Sequence, residues 1–251
     1  MGNAYQIPIL LEQLMSWERG FSHEVDYLET PTGLYLGIDT KETGGYFCTP
    51  VDSYPFARTG VDGIHYAFLT DFGHVTNLDE APVIRVSPMD SDRVSLVARN
   101  LHDFFALYLF DELVTMNEYS SEEEYLEYVR KEEAKDLNSE WFDHDRWKRE
   151  KAIVQNSISE TFNIFPISNP VQYMQEIRLE RSLQVSTLTK DSLGIVLSKV
   201  IPGESEVLIA SVRDFQYSAC FDRAIIEPLA KELVQLGFIH EAQSLLARML
   251  Q

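Results

Sequence analysis

The chain has few of the features that mark a secreted scaffold or a membrane protein. Its 251 residues include only two cysteines, Cys48 and Cys220, which lie far apart and outside any CxxC pair. Because two distant cysteines cannot form a disulfide framework, we expect a reducing compartment. No basic region precedes the apolar residues near the N-terminus, and no apolar run approaches the length of a membrane span. The sequence therefore predicts a soluble, cytoplasmic protein.

Basic residues are also scarce. The chain has 21 Lys and Arg residues and 40 Asp and Glu residues, which gives a formal net charge of −19. Residues 1–92 hold fourteen acidic residues against four basic ones, residues 118–150 are also acidic, and residues 151–251 are nearly balanced. A negative field repels nucleic acid and anionic lipid and attracts basic proteins. We expect no nucleic-acid or membrane partner, and a basic protein partner competes with solubility as the explanation of the charge.

Established catalytic and cofactor motifs are missing. There is no G-x-S-x-G segment and no phosphate-binding glycine loop, since Gly60–Gly63 fits a hairpin turn better. His65, Asp71 and His74 lie within ten residues, but their spacing matches no known ligand frame. We therefore predict no metal and no cofactor. A hydrolase of unknown type that uses His65, Asp71 or Glu24 in a cleft is an alternative, although no positional logic supports it.

The first half alternates apolar and turn residues in a way that predicts strands followed by a helix. Two glycines and an Asp-Gly pair in Thr59–Gly63 supply the positive φ angles of a tight hairpin loop. The long helix is expected after an N-cap at Asp90, Ser91 or Asp92, because apolar residues from Val94 to Tyr108 recur at helical spacing. The predicted elements are a helix over 5–18, strands or apolar runs at 34–38, 46–49, 54–58, 64–70 and 83–86, and a helix over 94–108.

The second half is predicted to mix helices with further strands. Ser121 and Glu124 form a capping-box pattern, and Gly237 is suited to end a helix. The predicted elements are helices over 121–135 and 143–161, the latter with Trp147, Ile153, Val154 and Ile158 facing inward, strands over 183–187, 195–200 and 206–212, and helices over 222–236 and 239–250. The fold class is therefore α+β, a mixed or antiparallel sheet covered by helices with a mixed helix-and-strand C-terminal extension. We predict an α+β unit over residues 1–117 and a C-terminal portion over 118–251, packed separately or as one continuous domain.

Three segments of the first half resemble one known family. They are Phe56–His65 (FARTGVDGIH), Pro82–Val86 (PVIRV) and Asn100–Phe105 (NLHDFF). In the SUKH superfamily a strand–turn–strand of the form F-A-x-T-G-x-D-G-x-H precedes a P-V-x-x-V strand, and a helix ending in an N-x-x-D-F-type motif follows. The likeness covers about residues 30–115. The family's early L-P-x-x-(Y/F) segment is missing unless Ile7–Ile9 replaces it, and residues 118–251 have no counterpart.

The resemblance carries an expectation about function. SUKH proteins include many bacterial immunity proteins, so it implies a non-enzymatic cytoplasmic binder that neutralises a toxin, often a nuclease. A regulatory or scaffold protein of the same fold is the alternative. A basic toxin would be attracted to carboxylates in the loops and sheet edges of the acidic N-terminal unit. The predicted partner-binding residues are Glu24, Asp26, Glu29, Asp39, Glu42 and Asp52.

Overall fold

The structure, a computed structural model, describes residues 5–39, 44–197 and 203–249. Within these residues the chain forms eight α-helices and one five-stranded sheet, which confirms the predicted α+β class. The strands are β1 (Tyr35–Leu36), β2 (Ser53–Arg58), β3 (His65–Leu69), β4 (Val83–Val86) and β5 (Val94–Ala98); the helices are α1 (Ile9–Phe21), α2 (Leu101–Met116), α3 (Glu122–Leu137), α4 (His144–Phe162), α5 (Pro170–Gln184), α6 (Gly203–Tyr217), α7 (Arg223–Gln235) and α8 (Ile239–Met249).

The sheet is an antiparallel meander in the order β1-β2-β3-β4-β5. β2 and β3 form the predicted hairpin, with Arg58 opposite His65. The loop between them has positive φ at Gly60, Asp62 and Gly63, as the sequence predicts. The run at 46–49 forms a turn rather than a strand.

The fifth strand corrects the predicted helix over 94–108. Val94–Ala98 pairs with β4, and the helix begins only at Leu101. The Asn100 side chain caps that helix by accepting the N–H of Asp103 at 2.9 Å, so the N-x-x-D-F motif opens the helix instead of ending it. The apolar residues Val94, Leu96 and Ala98 fit the alternation of a strand as well as the spacing of a helix. The β-branched valines of this run favour the strand.

Helix α2 covers one face of the sheet with aromatic rings. The ring of Phe104 lies 5.4 Å from that of Phe56 and 4.7 Å from that of Tyr66, and Phe56 stacks on Phe68 at 4.3 Å. Aromatic pairs at such distances add about 0.5–1.5 kcal/mol each beyond the burial of their area. This cluster is the centre of the larger hydrophobic core. That core also draws side chains from α4 and α5, so it extends on both sides of residue 117.

Local capping signals locate the middle helices. Ser121 accepts the N–H of Glu124 at 3.2 Å and Asp143 accepts the N–H of Arg146 at 2.9 Å, which confirms both predicted helix starts. Val154 and Ile158 are buried as predicted, but Ile153 is 48% exposed, so its inward placement was wrong. Asn169 and Pro170 begin α5, a helix that was not predicted. They are the N-cap and first residue of α5, a position at which proline is favoured.

The C-terminal portion corrects a predicted strand. Residues 206–212 belong to α6. Of the other predicted strand residues, 183 and 184 end α5, and the part between 185 and 197 forms only an isolated bridge from Thr187 to Ile195. The residues predicted as strand at 198–200 lie outside the described part. α6 buries Ser205, Ile209, Val212, Arg213 and Gln216, which follow helical spacing. Its apolar side chains join α7 and α8 in a second core around Val51 and Phe72, beside the adjoining ends of β2 and β3.

The hairpin loop provides a test of the fold. Gly60 has a φ of +85°, and a Cβ there would lie 2.6 Å from Cε2 of Tyr35. Gly60→Ala should therefore lower the free energy of unfolding by about 1–3 kcal/mol, measured by urea denaturation. Gly20→Ala is the control, since a Cβ at this position of α1 would meet no other atom within 4 Å and alanine favours a helix. Equal stability of the two variants would contradict the strained geometry.

Candidate functional site

A groove lies beside the edge strand β1. Its volume is about 750 Å³, and it lies between the β1 edge, the β2–β3 loop and the segment after residue 43. Its walls combine backbone edges, glycines and aromatic rings, the mixture found where peptide segments of partners bind. The lining residues include Tyr35, Leu36, Gly37, Asp39, Tyr46, Pro55, Arg58, Val61 and His65.

Two glycines of the hairpin loop set the shape of this groove. A Cβ on Gly63 would lie 2.9 Å from the Tyr46 ring, and one on Gly60 would meet Tyr35, so glycine leaves room for both rings. The guanidinium of Arg58 lies 5.5 Å from the centre of the Tyr35 ring. The T-G-x-D-G segment therefore closes a tight turn and also positions the aromatic wall of the groove.

His65 is buried in the groove floor as a neutral hydrogen-bonding residue. Its Nδ1 lies 2.8 Å from the Gly63 carbonyl and its Nε2 lies 3.0 Å from Oγ1 of Thr49. Burial lowers the pKa of His65 to about 4, so the imidazole is neutral at pH 7. Nδ1 donates to the carbonyl, which leaves Nε2 to accept the Thr49 hydroxyl. His65 thus fixes the loop to the 44–53 segment.

The C-terminal helices hold the opposite wall of the groove. Nη1 of Arg248 donates to the carbonyl of Pro50 at 2.6 Å, and Nε donates to that of Gly44 at 2.9 Å. Gln216 of α6 accepts the N–H of Val51 at 2.9 Å and donates to the carbonyl of Thr49 at 2.8 Å. These bonds satisfy backbone groups of a buried loop that has no strand partner. Residues far along the chain therefore position the wall that carries Tyr46.

Asp52 corrects the predicted set of partner-binding carboxylates. It is fully buried and accepts Nη1 of Arg213 at 3.1 Å, while Arg213 also binds Asp191 through Nε at 2.7 Å. Burial raises the pKa of the Asp52 carboxyl, and Arg213 opposes that shift. Asp52 was expected to be exposed in a loop or at a sheet edge, but its side chain points into a buried charge cluster. Asp52 cannot contact a partner, so its prediction was wrong.

The residues of the hydrolase alternative lie in different environments. Asp71 is buried, and Arg181 donates to its two oxygens at 2.5 and 2.6 Å. His65 bonds Thr49 and Gly63, whereas Glu24 is exposed and lies 3.7 Å from His23. Across residues 5–39, 44–197 and 203–249 no group of three His, Cys, Asp or Glu side chains could hold a metal ion. Asp71 and His74 line a second, smaller cavity of about 280 Å³ beside Arg181.

The other predicted carboxylates lie on the surface. Glu24, Asp26 and Glu29 are exposed in the loop after α1, and Asp39 is exposed beyond β1. Asp26 pairs with Arg146, and Glu29 accepts the hydroxyl of Tyr35. Glu42 lies outside the described residues. Glu29, through Tyr35, and Asp39 are thus brought to the border of the groove, a convergence that the sequence did not predict.

Sequence reasoning also missed the buried arginines. Arg181, Arg213 and Arg248 each lie on a helix and bond groups of the sheet unit. A signal existed for Arg213, since its neighbours Ile209, Val212 and Gln216 place it on the buried face of a helix. Its partner could not be found from spacing, because Asp52 precedes it by 161 residues.

Comparisons with known proteins identify no relative of this chain. No family model, no curated protein and no solved structure matches the chain. In the described part of the chain, none of the helices has both the length and the apolar character that crossing a membrane requires. The likeness of the three segments to the SUKH superfamily therefore stays a prediction.

Replacing Arg213 should destabilise the protein strongly. Arg213→Met keeps much of the volume but leaves Asp52 and Asp191 buried without their counter-charge, which costs about 3–5 kcal/mol. Arg223→Met is the control, since Arg223 is exposed and lies 3.6 Å from Glu227 of the same helix, an ion pair of little consequence. The free energy of unfolding in urea measures both. A loss under 1 kcal/mol (roughly the value of a surface pair) for Arg213→Met would contradict the assigned pairing.

Glu241 of α8 should make stability depend on pH. Burial beside Asp52 raises the pKa of its carboxyl to about 7 from an ordinary 4.5. Between these values the folded state binds more protons than the unfolded state, so the unfolding free energy contributed by Glu241 falls as the pH rises. Glu241→Gln removes this titration. Relative to wild type, the variant should gain up to about 3 kcal/mol between about pH 5 and about pH 8.

The difference between variant and wild type is the quantity to measure. Burial lowers the pKa of His65 and of His240 to about 4, so these groups make stability rise with pH between about 4 and 6.5. Their contribution cancels in the comparison because both proteins retain them. Urea unfolding at the two pH values gives the difference, and a difference that does not change with pH would show that Glu241 keeps an ordinary pKa.

Proposed function

We propose that this chain is a cytoplasmic protein-binding module of the immunity type, which neutralises a toxin by covering a basic domain of it, for example a nuclease domain. The proposal combines the resemblance of residues 30–115 to the SUKH superfamily with the charge of −19. Its mechanism is association by complementary charge followed by occlusion, with no chemical step on the partner.

The observation that carries the proposal is the position of the exposed carboxylates. Asp39 lines the groove and Glu29 is bonded to Tyr35 on its wall, while Glu24 and Asp26 are exposed in the loop between α1 and β1, Asp26 in an ion pair with Arg146. The groove offers aromatic rings and the backbone edge of β1 for contact. A lysine- or arginine-rich segment fits this combination, because the carboxylates attract its charges. The edge strand can bind its backbone, and the aromatic rings can pack against the apolar parts of its side chains.

Neutralising exposed carboxylates should slow binding. The triple variant Glu24→Gln, Glu29→Gln, Asp39→Asn keeps the size of each side chain but removes three charges. We expect association with the basic nuclease domain of a candidate toxin to slow about tenfold or more at low salt. The difference should shrink to about twofold at about 0.5 M salt, where charges are screened within a few ångströms. Stopped-flow measurements give both rates.

The control has the same change of charge elsewhere. Glu160→Gln, Glu176→Gln and Glu232→Gln alter exposed carboxylates on α4, α5 and α7. Both triple variants should unfold at nearly the wild-type temperature, because exposed carboxylates contribute little to folding. Equal association rates for the two triples would contradict a specific role for the groove side. Absence of binding by the wild-type chain would contradict the immunity function.

A further inference from the structure

The corner between α3 and α4, residues 137–145, displays an unusually exposed tryptophan. Trp141 is 94% exposed, the highest value among the large apolar side chains of the described residues. Leu137, at the end of α3, is 65% exposed. Tryptophan is highly buried on average, because its ring carries a large apolar area. Trp141 therefore contributes little to either hydrophobic core. A role in the fold does not explain why a tryptophan occupies this exposed position.

The backbone beside Trp141 is firmly held. The N–H of Asp143 donates to the hydroxyl of Tyr27 at 2.6 Å, and the Phe142 ring lies 5.8 Å from that of Tyr27. His144, the next residue, is buried. The loop after α1 is tied to the same place, since Glu150 accepts the N–H of Tyr27 at 2.8 Å. A side chain presented from a fixed backbone loses less entropy on binding than one on a mobile loop.

The surroundings of Trp141 are acidic. Glu140, Asp143 and Asp145 are exposed within the corner, and the tethered loop brings Asp26 to the same region through its ion pair with Arg146. Segments 22–30 and 136–145 contain no Lys or Arg. The two adjoining cations are paired: Lys135 lies 2.5 Å from Glu132, and Arg146 binds Asp26 and, at 3.0 Å, Glu150. Such a surface repels a second copy of itself, nucleic acid and anionic lipid, and it complements a basic protein.

We propose that Trp141 is the apolar anchor of the partner interface and inserts into an apolar cleft rimmed by Lys and Arg. The inference rests on the proposed function and adds a contact point to it: the basic domain must offer a cleft wide enough for an indole. Tryptophan is enriched among interface residues that carry most of the binding energy, and charged rims around such anchors exclude water. The carboxylates of the corner and of the loop then meet the basic rim.

Trp141→Ala tests the anchor against the same basic toxin domain by surface-binding kinetics. We expect dissociation to accelerate roughly thirtyfold or more, while association changes by less than about threefold, because removal of a contact acts mainly on the off-rate. Leu188→Ala is the matched control, since Leu188 is 86% exposed in the segment between α5 and α6, outside the corner, and the variant should bind like wild type. On binding, wild-type tryptophan emission should shift to shorter wavelength, and the shift should be lost in Trp141→Ala.

The possible failures are distinguishable. If Trp141→Ala binds like wild type while the carboxylate triple still slows association, the anchor is overturned and the proposed function stands. If wild type self-associates in sedimentation and Trp141→Ala does not, a second copy covers the corner and the inference is wrong. If the wild-type chain does not bind the toxin domain, the proposed function fails and the anchor fails with it.

Discussion

The fold depends on three buried arginines that link the C-terminal helices to the turns of the sheet. Arg181 pairs with Asp71, Arg213 with Asp52 and Asp191, and Arg248 with backbone carbonyls. A buried charge is tolerated only where it is paired and hydrogen-bonded. Each half therefore holds charges or carbonyls that the other half must satisfy, which makes the sheet and the late helices interdependent.

This interdependence gives the second half of the chain a role at the groove. Arg248 and Gln216 bond the backbone of the 44–53 segment, and that segment carries Tyr46 on the groove wall. The hairpin loop supplies the opposite wall and is joined to the segment through His65 and Thr49. A groove built on such fixed walls can recognise a partner without reordering, which lowers the entropy lost on binding.

Local signals explain which elements the sequence could predict. The hairpin at Thr59–Gly63 and the helices capped by Ser121 and Asp143 were predicted correctly, because turn and cap chemistry is decided by adjacent residues. β5 and α6 were missed, since short apolar runs fit both periods and packing selects between them. The burial of Asp52 could not be predicted, because its partner Arg213 is distant in sequence and spacing carries no such information.

The acidic residues of the chain lie in two different environments. Asp52, Asp71 and Asp191 are buried and form ion pairs with arginines, so their charge is compensated inside the fold. Exposed carboxylates act over distances of up to about a Debye length, roughly 8–10 Å, so under the proposed function they would guide an approaching basic partner before contact. An apolar side chain such as Trp141 acts only after contact, when its area leaves water. A surface that carries both can therefore adjust the speed of association and the lifetime of the complex independently, which favours rapid and lasting capture of a basic partner.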